Sequence, residues 1–268
     1  MQAQSATKSS APWDPLRRYV ARNSARIFYR RPQAIRLEKP IVSFTFDDFP
    51  RTALHTGGSI LNKRGFAGTY YVALGLLGQD SPSGEIAGTQ DLHDAISHGH
   101  EIGCHTFAHN HSWDTDARIF EDSLVRNSAK LAEILPGTHF RSFSYPIASP
   151  SPSVKRATAR HFDSCREGGQ TINAGSTDLN QLAAYFLEKV NGDLEPIKTI
   201  LERNQRECGW LIFATHDVVP DPSPYGCTPK FFEAVVAAAS ESGARVLTVA
   251  AALDSIRNAI RNTIQERA

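Results

Sequence analysis

An α/β fold, a closed or nearly closed (β/α) barrel of seven or eight units, is predicted by three features of the chain. From residue 41 onward, short β-branched or aromatic runs alternate with helical stretches, the pattern of βα units around a parallel sheet. About 230 residues are available for them, the size such a barrel needs. Asp47, Asp48, His105, Tyr145, Arg166 and His216 all fall at the carboxyl ends of these runs, the face on which barrel enzymes assemble their sites.

Residues 1–40 read as a basic N-terminal arm and 41–268 as the domain. The first dozen residues are small and polar, and then Arg17, Arg18, Arg22, Arg26, Arg30 and Arg31 recur around Leu16, Tyr19, Val20 and Ile27. That spacing predicts a cationic amphipathic helix. It either packs on the outside of the domain or makes peripheral contact with a membrane or an anionic substrate carrier. Strands are expected at 41–46, 68–74, 100–105, 141–146, 162–166, 184–190, 210–216 and 244–249. Helices with readable ends lie between them. One runs from Ser59 to Arg64 and stops at Gly65, and one follows Thr89 and ends at Gly99. Asp116 caps a long helix through Leu135 that stops at Pro136-Gly137, and Thr228-Pro229 opens a helix ending near Gly243.

The chain has 268 residues, 41% of them hydrophobic, enough apolar surface for one large core. Lys+Arg 29 against Asp+Glu 28 leaves a net charge of +1, which argues against nucleic acid or a strongly acidic polymer as partner. Cys104, Cys165, Cys208 and Cys227 are widely spaced without a C-x-x-C pair and read as reduced thiols. No apolar run in the first forty residues is long enough for a signal peptide or a membrane span, so a cytoplasmic enzyme of bacterial type is the expectation.

The chemistry concentrates in three places. Asp47 and Asp48 end the strand Ile41-Val42-Ser43-Phe44-Thr45-Phe46, and Pro50 supports a turn that would let one carboxylate face a metal while the other faces substrate. His105 and His109 are four apart, a spacing that on a helical turn brings two imidazoles to one face. One carboxylate and two imidazoles suit a divalent ion, with Zn²⁺ the first expectation, and leave a position open for water. His216 ends the apolar strand Trp210-Leu211-Ile212-Phe213-Ala214-Thr215, where a near-neutral pKa would let it protonate a leaving amine.

Thr45-Phe46-Asp47-Asp48, His105-Thr106-x-x-His109, Phe143-x-Tyr145-Pro146 and the strand-borne His216 resemble, in order and spacing, the polysaccharide deacetylase or nodulation-type deacetylase family of carbohydrate esterases. The resemblance covers roughly residues 41–250. It implies a distorted (β/α) barrel that removes acetyl groups from N-acetylated sugars in a metal-dependent reaction. It also implies Asp47 as general base, Asp48, His105 and His109 as metal ligands, and His216 as general acid. The chain departs from the family's usual third motif, an arginine followed by two prolines, an aromatic and glycine. Arg166 is the substitute for that arginine, Ile147 offers a backbone amide for the oxyanion, and Tyr145 joins them as a substrate-binding or oxyanion residue.

The favoured reading is thus a hydrolase removing N-acetyl groups from an amino-sugar oligosaccharide, polysaccharide or carrier-linked glycan. A hydrolase of a small non-sugar amide or imide and a non-catalytic glycan-binding pseudoenzyme are the alternatives. Exposed aromatics would favour a sugar, and Trp113 and Tyr225 are the candidates.

Overall fold

The computed structural model describes residues 24–147 and 149–265, so most of the cationic helix expected in the arm lies outside the described residues. Seven parallel strands pair in chain order: Ile41–Phe46, Thr69–Val72, Glu101–Cys104, Ser142–Ser144, Ser164–Gly168, Leu182–Phe186 and Trp210–Thr215. The last bonds the first from Trp210 opposite Ile41 to Thr215 opposite Phe46, which closes the barrel. Thr69–Val72 meets the first strand only at Thr45 and Phe46, and the two-residue strand Arg245–Val246 fills the gap beside Ile41 and Val42.

The alternation of the first strand explains its double burial. Val42, Phe44 and Phe46 face outward into the main core between strands and helices, where Phe46 stacks on Tyr70 with ring centroids 4.7 Å apart. Ile41, Ser43 and Thr45 face the barrel interior. There the Trp210 indole N–H donates to the Ser43 hydroxyl at 3.0 Å, and the Thr45 hydroxyl donates to the Phe213 carbonyl at 2.8 Å. Trp210 also packs with Ile41, Leu182 and Ile212 against Val249, Ala252, Leu253 and Ile256 of the C-terminal helix Val249–Gln265, which closes the amino end of the barrel.

Several helix ends follow their sequence signals. Asp116 accepts from the Arg118 amide at the start of Ala117–Ile134, and Thr228 accepts from the Phe231 amide at the start of Pro229–Glu241. Gly65, Gly99, Gly137 and Gly243 all have positive φ beyond the helices they end. Other elements differ from expectation. The strand expected at 184–190 is Leu182–Phe186, followed by a 3₁₀ turn, Leu187–Val190. The strand expected at 244–249 is only Arg245–Val246. The helix expected from Ser59 is preceded by a π-helical turn, Ala53–Gly58. Pro152–Thr158, Glu195–Arg206 and the C-terminal helix were not foreseen from the sequence.

Part of the segment set apart as an arm is bound to the barrel. Pro32–Ile35 pairs antiparallel with Gly175–Asp178, and the buried Lys155 ammonium donates to the Ala25 carbonyl and the Asp178 carboxylate, each at 2.6 Å. All four cysteines are free, with Cys104, Cys165 and Cys227 buried. Among the described residues no helix is long and apolar enough to cross a membrane.

His100 yields a stability prediction outside the site. Its Nδ1 accepts the Gly68 amide at 3.0 Å, and burial, reinforced by the charge of His98, pushes its pKa down to about 4. The folded state therefore keeps His100 neutral, while the unfolded chain protonates it near its ordinary 6.5. Its contribution is intact above pH 6.5 and is lost as pH falls from there toward 4. Urea midpoints measured across this window should fall in the wild type and fall less steeply in His100→Asn.

Candidate metal and catalytic site

The first strand delivers both carboxylates to one cavity because the backbone turns left-handed immediately after it, at Asp48 (φ 61°) and Phe49 (φ 52°), ahead of Pro50. Without that turn the alternation of a strand would send Asp47 and Asp48 to opposite sides. The third strand ends at Cys104, and His105 to His109 follow in a loop. The helical turn expected for the His-x-x-x-His pair is absent; left-handed residues at Thr106 (φ 62°) and His109 (φ 51°) fold the loop back instead. Ser123, on the helix Ala117–Ile134, braces it: its hydroxyl accepts the Phe107 amide at 2.8 Å and donates to the Asn110 side chain at 2.6 Å. The two imidazole centroids end 5.0 Å apart.

Asp48, His105 and His109 offer ligand atoms all within 4.8 Å of one another. Asp48 Oδ1 lies 3.5 Å from His105 Nε2 and 3.2 Å from His109 Nε2. His105 is oriented for a metal. Its Nδ1–H donates to the Ser144 carbonyl at 2.8 Å, and burial lowers its pKa to about 4 against the opposing pull of Asp47, so Nε2 carries a free lone pair. The donor set fits a divalent ion.

Asp47 is buried beside this cluster and paired with the buried Arg166 guanidinium from the fifth barrel strand. Burial works against the carboxylate, but Arg166, with His105 and His216, outweighs it and holds Asp47 below the usual carboxylate range. Arg166 is itself held by aromatic faces, Tyr71 at 4.8 Å and Phe186 at 5.7 Å from its central carbon. Arg141 lies elsewhere, bidentate on Asp254 at 2.7 Å.

On the opposite side, His216 Nε2 is 4.0 Å from Asp48 Oδ2, and its Nδ1 is 3.2 Å from the Tyr225 carbonyl. Ile147, at φ 68° and 64% exposed, lies on the rim. Tyr145 lines the cleft with its hydroxyl turned away, donating to the Asn180 carbonyl at 3.0 Å and lying 2.7 Å from the Thr158 hydroxyl. Its ring packs on Phe143 with centroids 5.0 Å apart.

These residues line a cleft of about 1050 Å³. Tyr225 belongs to its wall and Trp113 does not. Three other wall elements have no signature in the sequence: the hairpin around Asp80–Glu85, Phe186, and Glu188, whose carboxyl burial pushes up.

Residues 34–164 match the sequence profile of the polysaccharide deacetylase family. The matched stretch, just under half of the chain, is similar to that family. Solved structures agree on the fold. A peptidoglycan deacetylase from Bacillus subtilis superposes with a TM-score of 0.58 at 15% identity, over 86% of this chain and 97% of that one. A family 4 acetyl xylan esterase from Clostridium thermocellum, solved with a cobalt ion, gives 0.56 at 21% identity, over 81% and 92%. A CE4 family pseudoenzyme from Bacillus anthracis gives 0.57 at 13% identity, over 83% and 68%. Comparison with curated protein sequences gives no match. The barrel thus has the fold of these deacetylase, esterase and pseudoenzyme structures.

Proposed function

We propose that the chain is a metal-dependent N-deacetylase acting on an amino-sugar oligosaccharide, polysaccharide or carrier-linked glycan. The observation that supports this best is the Asp48, His105 and His109 cluster flanked by the Asp47–Arg166 ion pair on one side and His216 on the other. Zn²⁺ is the ion best matched to one carboxylate, two imidazoles and an open position. Bound there, the ion would lower the pKa of a water and polarise the acetyl carbonyl.

The chain's own groups do the proton work. Asp47, kept ionised by Arg166, takes the proton of the attacking water on its carboxylate. The Ile147 amide, on the rim of the cleft, donates to the carbonyl oxygen as negative charge builds there. His216 delivers a proton from Nε2 to the departing nitrogen, because an unprotonated amine is a very poor leaving group. The Tyr225 ring, 47% exposed on the cleft wall, offers a face for a pyranose.

Acetate release from chito-oligosaccharides together with metal analysis of the purified protein tests the reading. About one ion per chain and acetate production are expected; bound metal with no acetate released would point to a binding protein instead. His109→Ala should weaken metal affinity by more than about 10-fold, since it removes a ligand rather than an outer support. Competition with a chromogenic chelator reads this without any activity assay.

A further inference from the structure

We propose that Asp217 is a positioning residue for the acid, fixing Tyr225 through the loop 217–227 so that Tyr225 in turn fixes His216. This rests on the reading of His216 as the proton donor.

Asp217 is 3% exposed and is not among the residues lining the cleft. Its carboxylate accepts from the Ser223 amide at 2.8 Å and from the Ser223 hydroxyl, while its carbonyl accepts from the Cys227 amide at 3.0 Å. Ser223 passes the constraint on. Its hydroxyl oxygen accepts the Tyr225 amide at 3.2 Å, and its carbonyl accepts the Gly226 amide at 3.1 Å. The turn closes so tightly on the carboxylate that a Cβ on Gly226 would lie 2.4 Å from Asp217 Oδ1.

The loop delivers two contacts to His216. The Tyr225 carbonyl stands 3.2 Å from Nδ1, and the Tyr225 ring leans on the imidazole with centroids 5.4 Å apart. An Nδ1–H committed to that carbonyl turns Nε2 toward the cleft, 4.0 Å from Asp48 Oδ2. With the carboxylate removed, Ser223 loses both of its anchors, and the Tyr225 carbonyl is left with the backbone bonds of Gly226 and Cys227 and a 3.5 Å contact from the Thr215 hydroxyl, too loose a set to fix its position. Nε2 then misses the leaving nitrogen while the metal ligands and Asp47 stay where they are. A displacement of about 1 Å at a reacting group is enough to cost about 100-fold.

The test compares two leaving groups in the metal-loaded enzyme: acetate release from a chito-oligosaccharide, which needs the proton, and 4-nitrophenyl acetate, whose phenolate leaves without one. For Asp217→Ala, kcat on the amide at saturating substrate should fall about 10- to 100-fold, with aryl acetate turnover within about threefold. Asp217→Asn, which can still accept the Ser223 amide, should recover most of the amide rate. Ser223→Ala should show a weaker form of the same split, and it decides the matter if Asp217→Ala does not fold. Equal losses on both substrates in these variants would overturn the inference, because general damage spares neither reaction. His216→Ala separates the two layers. If it too loses both activities equally, the acid assignment fails; if it splits the substrates and Asp217→Ala does not, the positioning role alone fails.

Discussion

Replacing His216 by alanine should lower turnover on an N-acetylated chito-oligosaccharide by about two to four orders of magnitude while bound metal stays constant. The expectation follows from what the side chain touches. Nδ1 is committed to the Tyr225 carbonyl and Nε2 faces the cleft, so this ring is placed to donate rather than to ligate; its nearest ligand contact, Asp48 Oδ2, is 4.0 Å away. Asp48, His105 and His109 retain their own supports in the variant, including the bond from His105 Nδ1–H to the Ser144 carbonyl. Steady-state acetate release paired with elemental analysis checks both halves of the statement. An unchanged rate would remove His216 from the chemistry, and a lost ion would make it a ligand.

Arg166→Met should destabilise the metal-free fold by about 3–5 kcal/mol, as expected when one partner of a buried ion pair is removed. Arg166 is 1% exposed and Asp47 5%, so the remaining carboxylate would be buried without its main countercharge. Adding Asp47→Asn to Arg166→Met should restore most of the stability, since two neutral side chains replace a buried pair at little net cost. It should not restore activity. The pH dependence has a defined sign. In the wild type Asp47 is held below the usual range, so its contribution persists at neutral pH and fades only in strong acid. In Arg166→Met the main charge opposing burial is gone, so the carboxyl rises relative to the wild type and the deficit should narrow as acidification protonates it. Urea denaturation of the three variants and the wild type between neutral and mildly acid pH measures both effects. Lysine is not expected to substitute for Arg166, because the flat guanidinium lies against Tyr71 and Phe186.

The barrel was readable where local chemistry and burial agree. Ile41–Phe46 and Trp210–Thr215 are buried along their whole length, so their apolar runs announce them. Leu182–Phe186 was placed two residues late because Ala183 and Ala184 have little strand preference, and pairing with Arg166 to Gly168 decides the matter. Val246 to Ala252 reads as one apolar run, and only the Thr248 hydroxyl, accepting the Ala251 amide, marks where strand gives way to helix. The antiparallel ribbon of Pro32–Ile35 with Gly175–Asp178 joins distant segments, beyond the reach of any local pattern.

Within the site, the residues that would bind metal and move protons stand in recognisable order along the chain. What the sequence did not disclose was how they are oriented. Pro50 marks a turn after the two carboxylates, but neither its left-handed form at Asp48 and Phe49 nor the irregular His105 to His109 loop has a signature in residue type, since none of these positions is glycine. The direction of the Tyr145 hydroxyl is unmarked for a related reason. A tyrosine at a strand end is as readily packed inward as displayed, and here Thr158 and Asn180 capture it.

The seam between Ile41–Phe46 and Trp210–Thr215 bears on synthesis as well as architecture. A nascent chain emerging at about 5–20 residues per second exposes one edge of its first barrel strand for roughly 10–30 s before the partner leaves the ribosome. During that interval Val42, Phe44 and Phe46 present an unsatisfied, sticky margin. Chaperone dependence and losses to inclusion bodies in fast expression hosts should therefore trace to this margin, and slowing translation should raise soluble yield more than strengthening any loop would.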